Sequence, residues 1–134
     1  IIPRRVSFGF TTLRKLLSAK DMLELYGVPK TEQILERGLQ QSGVSIVSQH
    51  TVTKEGRRYR IDIAIFCKNG AIAIECDNRK AHSGKIQLAK DRVKDELLKR
   101  HGWRVIRLSE KNIVEHTDRC LKKITCAIQN LGGQ

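Results

Sequence analysis

Apolar residues recur along the chain with two different periods, and their succession predicts a mixed α/β domain. Spacings of three or four residues, typical of amphipathic helices, occur in four stretches that each end at a glycine. Between them lie short alternating or continuous apolar runs, which are typical of strands. In chain order the predicted elements are helices at 11–26 and 31–42, strands at 44–52, 58–67 and 71–77, a helix at 86–101, a strand at 103–108 and a helix at 110–131.

The order of these elements predicts a topology. A strand, a helix and a strand in succession imply a parallel pair joined by a right-handed crossover, while the three earlier strands read as a meander. We therefore expect an α/β domain over residues 30–134, with a mixed four-stranded sheet and helices on both faces. Residues 1–29 are expected to form an N-terminal helical extension of it.

Two of the predicted helices carry a long apolar stripe that should face the sheet. In the helix at 86–101 the stripe comprises Ile86, Ala89, Val93, Leu97 and Leu98. In the helix at 110–131 it comprises Val114, Thr117, Leu121, Ile124, Ile128 and Leu131.

Acidic residues interrupt the two apolar strands at the centre of the chain. Asp62 lies on the first of them, and Glu75 and Asp77 lie on the second. Because residues two apart share a face of a strand, Glu75 and Asp77 should point the same way. The opposite, apolar faces are predicted to be formed by Ile61, Ile63 and Ile65 on the first strand and by Ile72, Ile74 and Cys76 on the second.

If these two strands pair as a hairpin, the three carboxylates converge at one end of the sheet. Like charges at short distance repel, and burying an unpaired carboxylate costs several kcal/mol. A hard divalent cation such as Mg2+ would offset both costs. The alternative is a polar, solvated sheet face whose acids are neighbours of Arg and Lys.

The charge balance points to an anionic partner. The 134 residues include 26 Lys and Arg against 14 Asp and Glu, a formal net charge of +12. Such a balance favours nucleic acid, although charge alone also keeps a basic protein in solution. No apolar run is long enough for a membrane span, and residues 1–10 lack the apolar core of a signal peptide, so a cytoplasmic, nucleoid-associated location is expected. The four cysteines form no CxxC pair and are expected to be buried free thiols.

Several motifs together resemble the PD-(D/E)XK nuclease superfamily, most closely the very-short-patch-repair (Vsr)-like endonucleases. The matching segments, which extend over about residues 31–113, are YRIDIAI at 59–65, AIECDN at 73–78, AHS at 81–83 and KDRVKDELLKRHGWRVIRL at 90–108. Glu32, with Leu35 and Leu39 behind it, resembles the acid on the helix that precedes the sheet in that family. The resemblance implies a restriction-endonuclease-like fold and a DNA endonuclease that depends on Mg2+ or Mn2+.

The resemblance also assigns roles to single residues. Asp62 would be the central metal ligand, Glu75 a second ligand or a water-orienting group, and the carbonyl of Cys76 would complete the shell. Asp77 departs from the pattern, because many relatives have a Lys at this place. The charge that such a Lys supplies could come from Lys80, His82, Lys90 or Lys94.

Further residues are expected to support the site. His82 could orient a water molecule or donate a proton near neutral pH. Asp91 and Asp95, one helical turn apart, could bind a cationic side chain near the acids or form ordinary surface ion pairs. Asp91 is the stronger candidate for function. The expected contacts with DNA phosphates come from Arg57, Arg58, Arg60, Arg79, Lys80 and Lys85.

Two function classes remain open from the sequence. The first is an endonuclease that acts as a homodimer or as one domain or subunit of a larger restriction, repair or mobile-element enzyme. The second is a degenerate nuclease fold that only binds nucleic acid or a protein partner, which the Asp at position 77 favours.

Overall fold

The computed structural model describes residues 30–77 and 84–134, so the predicted helix at 11–26 and the extension at 1–29 lie outside the described residues. The described elements, in chain order, are α1 (Lys30–Gln41), β1 (Val47–Lys54), β2 (Arg57–Cys67), β3 (Gly70–Asp77), α2 (Lys85–Arg100), β4 (Trp103–Ser109), α3 (Glu110–Glu115) and α4 (Thr117–Asn130). The strands are ordered β1-β2-β3-β4; the first two pairs are antiparallel and β3 pairs with β4 in parallel. The mixed four-stranded sheet expected from the sequence is confirmed.

The two faces of the sheet are packed by different kinds of side chain. Isoleucines of β2 and β3, such as Ile63 and Ile74, point toward α1, α3 and α4 and form the larger core with Leu35 and Leu39. The opposite face has the small residues Ala64, Ala71 and Ala73, with Leu98 of α2, Ile61 and Trp103 packed around them. Three helices therefore cover one face of the sheet, and the single helix α2 covers the other.

The alternation of side chains along β2 is interrupted at Asp62. Ile61 packs in the core under α2, together with Ala64, whereas Ile63 packs in the core on the other face. The prediction that Ile61 shares a face with Ile63 and Ile65 is therefore wrong. Opposite Asp62 on β1, Gln49 has a φ of 53°, and the register of β1 on β2 is the same on either side of it. Because neither strand has an inserted residue, the spacing of the sequence does not reveal the interruption.

Two predictions about helices need correction. The expected helix at 110–131 is two helices, because the backbone leaves the helical region at His116 with φ −135° and ψ 48°. The Ser109 hydroxyl caps α3 by accepting from the Asn112 N–H at 3.2 Å. The break rotates the apolar stripe, so that Ile113 is buried and Val114 is 54% exposed.

The predicted apolar face of α2 exists only in the second half of the helix. Leu97 and Leu98 are buried, but Ile86 is 75% exposed and Val93 is 45% exposed. The first turns of α2 therefore present apolar side chains without packing on the described sheet.

The four thiols are free, as expected, but they are not all buried: Cys120 is buried and Cys126 is exposed. In the part of the chain that the structure describes, no helix has both the length and the apolar character needed to cross a bilayer.

Candidate active site

Asp62 is held against β3 at the level of Glu75 and Cys76. Its Oδ2 accepts a hydrogen bond from the Cys76 N–H at 2.9 Å. Continuing the antiparallel register of Ile63 with Ile74 by one residue brings Asp62 opposite Glu75. The hairpin therefore brings the two central acids of the predicted site together.

Glu75 is a buried acid with a cation beside it. Its side chain is on β3, the residue is 5% exposed, and the Lys94 ammonium from α2 forms an ion pair with Oε1. Burial, the largest cause, raises the pKa of Glu75; Lys94 lowers it and the charge of Asp62 raises it further. Lys94 also donates to the Arg60 carbonyl at 2.6 Å, which fixes the ammonium between β2 and β3.

Helix α1 adds two further buried acids to the same region. Glu32 accepts from the Gln49 side-chain amide at 2.6 Å, and Glu36 accepts from the Ser48 hydroxyl at 2.8 Å. Burial, with the neighbouring charges of Asp62 and Glu36, raises the pKa of Glu32 to about 8. Glu32 therefore keeps its proton at neutral pH and can donate it in a hydrogen bond to the Asp62 carboxylate.

Glu32 was expected from the sequence, whereas Glu36 and Gln49 were not. The signal for Glu36 was present, since it follows Glu32 by one helical turn and adjoins Leu35 on the buried face of α1. Gln49 had no comparable signal, because its contact with Glu32 depends on how α1 packs beside β1.

An ion pair between α2 and β4 lies beside Glu75, on the strand next to β3. Arg107 donates to both carboxylate oxygens of Asp95, at 3.0 and 2.8 Å. Arg107 is the register partner of Glu75 in the parallel β3–β4 pair, and its charge lowers the pKa of Glu75. Asp95 thus holds a cationic side chain near the acids, while Asp91 accepts from Gln87 within α2 at 3.2 Å.

We expect Asp95→Asn to lower the free energy of unfolding by about 1–2 kcal/mol, because it leaves a partly buried guanidinium without its charged acceptor. Urea unfolding monitored by circular dichroism measures this change. Asp118→Asn, at an exposed position, is the matched control and should change stability by only a few tenths of a kcal/mol. Equal stability of the two variants would contradict the inferred role of the pair.

The other predicted site residues are distributed around these acids. Asp77 is the last residue of β3 and pairs in register with Ser109. Arg57, Arg58 and Arg60 are exposed on β2, and Lys85 is exposed at the start of α2. Three predicted residues lie outside the described part of the chain: Arg79, Lys80 and His82.

The donor chemistry of the site favours a hard cation. Burial, with the acids around it, raises the pKa of the Cys76 thiol, so this residue offers its carbonyl oxygen and not a thiolate. Among residues 30–77 and 84–134, no group of three His, Cys, Asp and Glu side chains is placed to hold one metal ion. An ion would therefore have two close carboxylates, Asp62 and Glu75, and would need backbone, water or substrate oxygens for its other positions.

A mixed sheet with acids on adjacent strands is the arrangement expected of a restriction-endonuclease-like nuclease. The chain belongs to the REase_MTES_1575 family, whose model matches residues 32–128. Its fold is similar to the structure described as "Homing Endonuclease I-Bth0305I Catalytic Domain", with a TM-score of 0.60, 20% identity, and coverage of 75% of this chain and 94% of that one.

A second solved structure, "Crystal Structure of Protein of Unknown Function AF1548", shares 15% identity, with a TM-score of 0.44 and coverage of 59% of this chain and 46% of that one. The comparison with curated proteins gave no match.

Proposed function

We propose that this protein is a divalent-metal-dependent DNA endonuclease that hydrolyses phosphodiester bonds. The observation that carries the proposal is the convergence of Asp62 and Glu75 from adjacent strands in a chain with a net charge of +12. Membership in a restriction-endonuclease-like family and the fold of a homing endonuclease domain support the same activity.

Asp62, Glu75 and the Cys76 carbonyl would hold Mg2+ or Mn2+. When bound, the ion would lower the pKa of a water molecule and offset negative charge on the phosphate. Mg2+ usually binds through one or two carboxylates together with water and substrate phosphates, so two close carboxylates suit it. The raised pKa values of Glu32 and Glu75 mark a region where negative charge is costly, and a cation there would relieve that cost.

The surrounding residues would bind and orient the DNA. Arg57, Arg58 and Arg60 are exposed on the strand that carries Asp62, and such side chains position nucleic acid through its phosphates. Arg60 is close enough to the acids for its charge to lower the pKa of Glu32. The resemblance to Vsr-like endonucleases extends the proposal to His82, which would orient a water molecule or donate a proton.

Cleavage of supercoiled plasmid tests the activity. The purified protein should nick or linearise the plasmid with Mg2+ or Mn2+ and leave it intact in EDTA. Binding measured in EDTA should weaken steeply as salt rises, because phosphate contacts dominate affinity. If the protein does not bind DNA at low salt in this measurement, the proposed substrate is wrong.

The second candidate is a nuclease fold that binds nucleic acid without cleaving it. The ion pair of Glu75 with Lys94 favours this candidate, since the buried acid already has a positive partner. Intact plasmid with either metal, together with salt-sensitive DNA binding, would establish the second candidate and exclude the first.

A further inference from the structure

We propose that Lys94 is the catalytic cation of the site and donates to a non-bridging oxygen of the scissile phosphate. This inference rests on the proposed nuclease function and adds a residue of α2 to the strand acids.

The Lys94 ammonium has more donors than its two contacts use. A lysine ammonium has three N–H groups. One is used by the Glu75 carboxylate and one by the Arg60 carbonyl. Among the described residues, no third acceptor contacts the ammonium, and the Lys94 side chain is 16% exposed, so it reaches the surface at the acids.

Two contacts hold this ammonium in a fixed position. The two contacts tie it to β2 and β3 at once, directly beside the proposed metal ligand Glu75. A donor held in place before the substrate arrives stabilises developing charge without reorganisation at the moment of reaction. An exposed lysine such as Lys90, on the same helix, lacks this position.

A second cation beside Glu75 is Arg107, which is paired with Asp95. Arg107 is the register partner of Glu75 in the β3–β4 pair, but its guanidinium is directed into a two-bond ion pair with Asp95, whereas the Lys94 ammonium contacts the Glu75 carboxylate itself. Arg107 therefore supports the site by joining β4 to α2 through this ion pair. Lys94 is therefore the described cation best placed to contact a phosphate next to Asp62 and Glu75.

The test measures steady-state cleavage of a DNA duplex at saturating Mg2+. We expect Lys94→Met to lower kcat about a hundredfold, as for the loss of one charged donor at the transition state, with KM for DNA within about twofold. Lys94→Arg, which keeps the charge, should recover part of kcat. Lys99→Met removes the same charge from an exposed position of α2 and should leave both parameters unchanged.

A fourth variant separates charge from folding. Lys94→Gln keeps amide donors for Glu75 and Arg60 but has no charge, so its melting curve should stay close to that of the wild type. A hundredfold lower kcat in folded Lys94→Gln supports the proposal. Wild-type kcat in this variant, with Asp62→Asn inactive, overturns the role of Lys94 and leaves the nuclease function intact; absence of wild-type cleavage with any divalent metal overturns both.

Discussion

Asp62→Asn is expected to lower the rate of metal-dependent DNA cleavage by about a thousandfold or more. The substitution removes the charge that would hold the cation between β2 and β3, and an activated water at neutral pH depends on that cation. Asn keeps the size of the side chain and a carbonyl oxygen that can still accept from the Cys76 N–H. The fold and the exposed arginines of β2 should therefore be retained.

Plasmid nicking and a duplex binding assay in EDTA measure the two consequences separately. Cleavage should vanish in Asp62→Asn, while DNA affinity in the absence of metal should stay within a few-fold of the wild type. Asp118→Asn makes the same chemical change at an exposed position of α4 and should cleave normally. Cleavage at the wild-type rate by Asp62→Asn would remove the acids of the sheet as the catalytic centre.

The elements of the fold were predictable where one physical pattern dominates. The β2–β3 hairpin and the β3–α2–β4 crossover follow from apolar runs, turn residues and the handedness of parallel connections, and the structure has them within a few residues of the predicted bounds. The predicted single C-terminal helix was wrong because the apolar stripe continues through His116, where the backbone turns. Periodicity reports which residues are apolar, but it carries no information on a local break in the backbone that rotates the stripe.

The central acids of the site were predictable, and their partners were less so. Asp62 and Glu75 appear as charges inside apolar strands, which is costly enough to indicate function. Lys94 was one of four candidates for the missing charge, since position on a helix alone cannot show that its ammonium reaches Glu75 on β3. Arg107 carries no signal of its own in the sequence, because its ion pair with Asp95 depends on how α2 packs on β4.

The interrupted alternation of β2 at Asp62 explains how three elements can supply acids to one place. A regular β2 would place Ile61 and Ile63 on one face and Asp62 on the other, away from α1. With the interruption, the Asp62 carboxylate can accept hydrogen bonds both from the Glu32 carboxyl group on α1 and from the Cys76 N–H on β3. The price is a concentration of carboxyl groups that the folded protein accommodates by keeping a proton on Glu32.

That proton makes the stability of the metal-free protein depend on pH. The folded state raises the pKa of Glu32 from an ordinary 4.5 to about 8, so the folded state binds the proton more tightly than the unfolded chain. The free energy of unfolding should therefore be highest in acid and should fall as pH rises from about 4.5 to about 8, by a few kcal/mol in total. Glu75, whose pKa is also raised by burial, contributes in the same direction.

Glu32→Gln is expected to remove most of this dependence. The neutral amide has the shape of the protonated acid and can donate to Asp62, so the variant should match the wild type in acid and exceed its stability near pH 8. Urea unfolding in EDTA at several values from about pH 5 to pH 8 gives the difference between the two proteins, in which the other titrating groups cancel. Glu96→Gln, an exposed position on α2, should follow the wild-type curve throughout. Parallel curves for the wild type and Glu32→Gln would mean that Glu32 is ionised in the folded protein, and the proposed hydrogen bond from its carboxyl group to Asp62 would then be wrong.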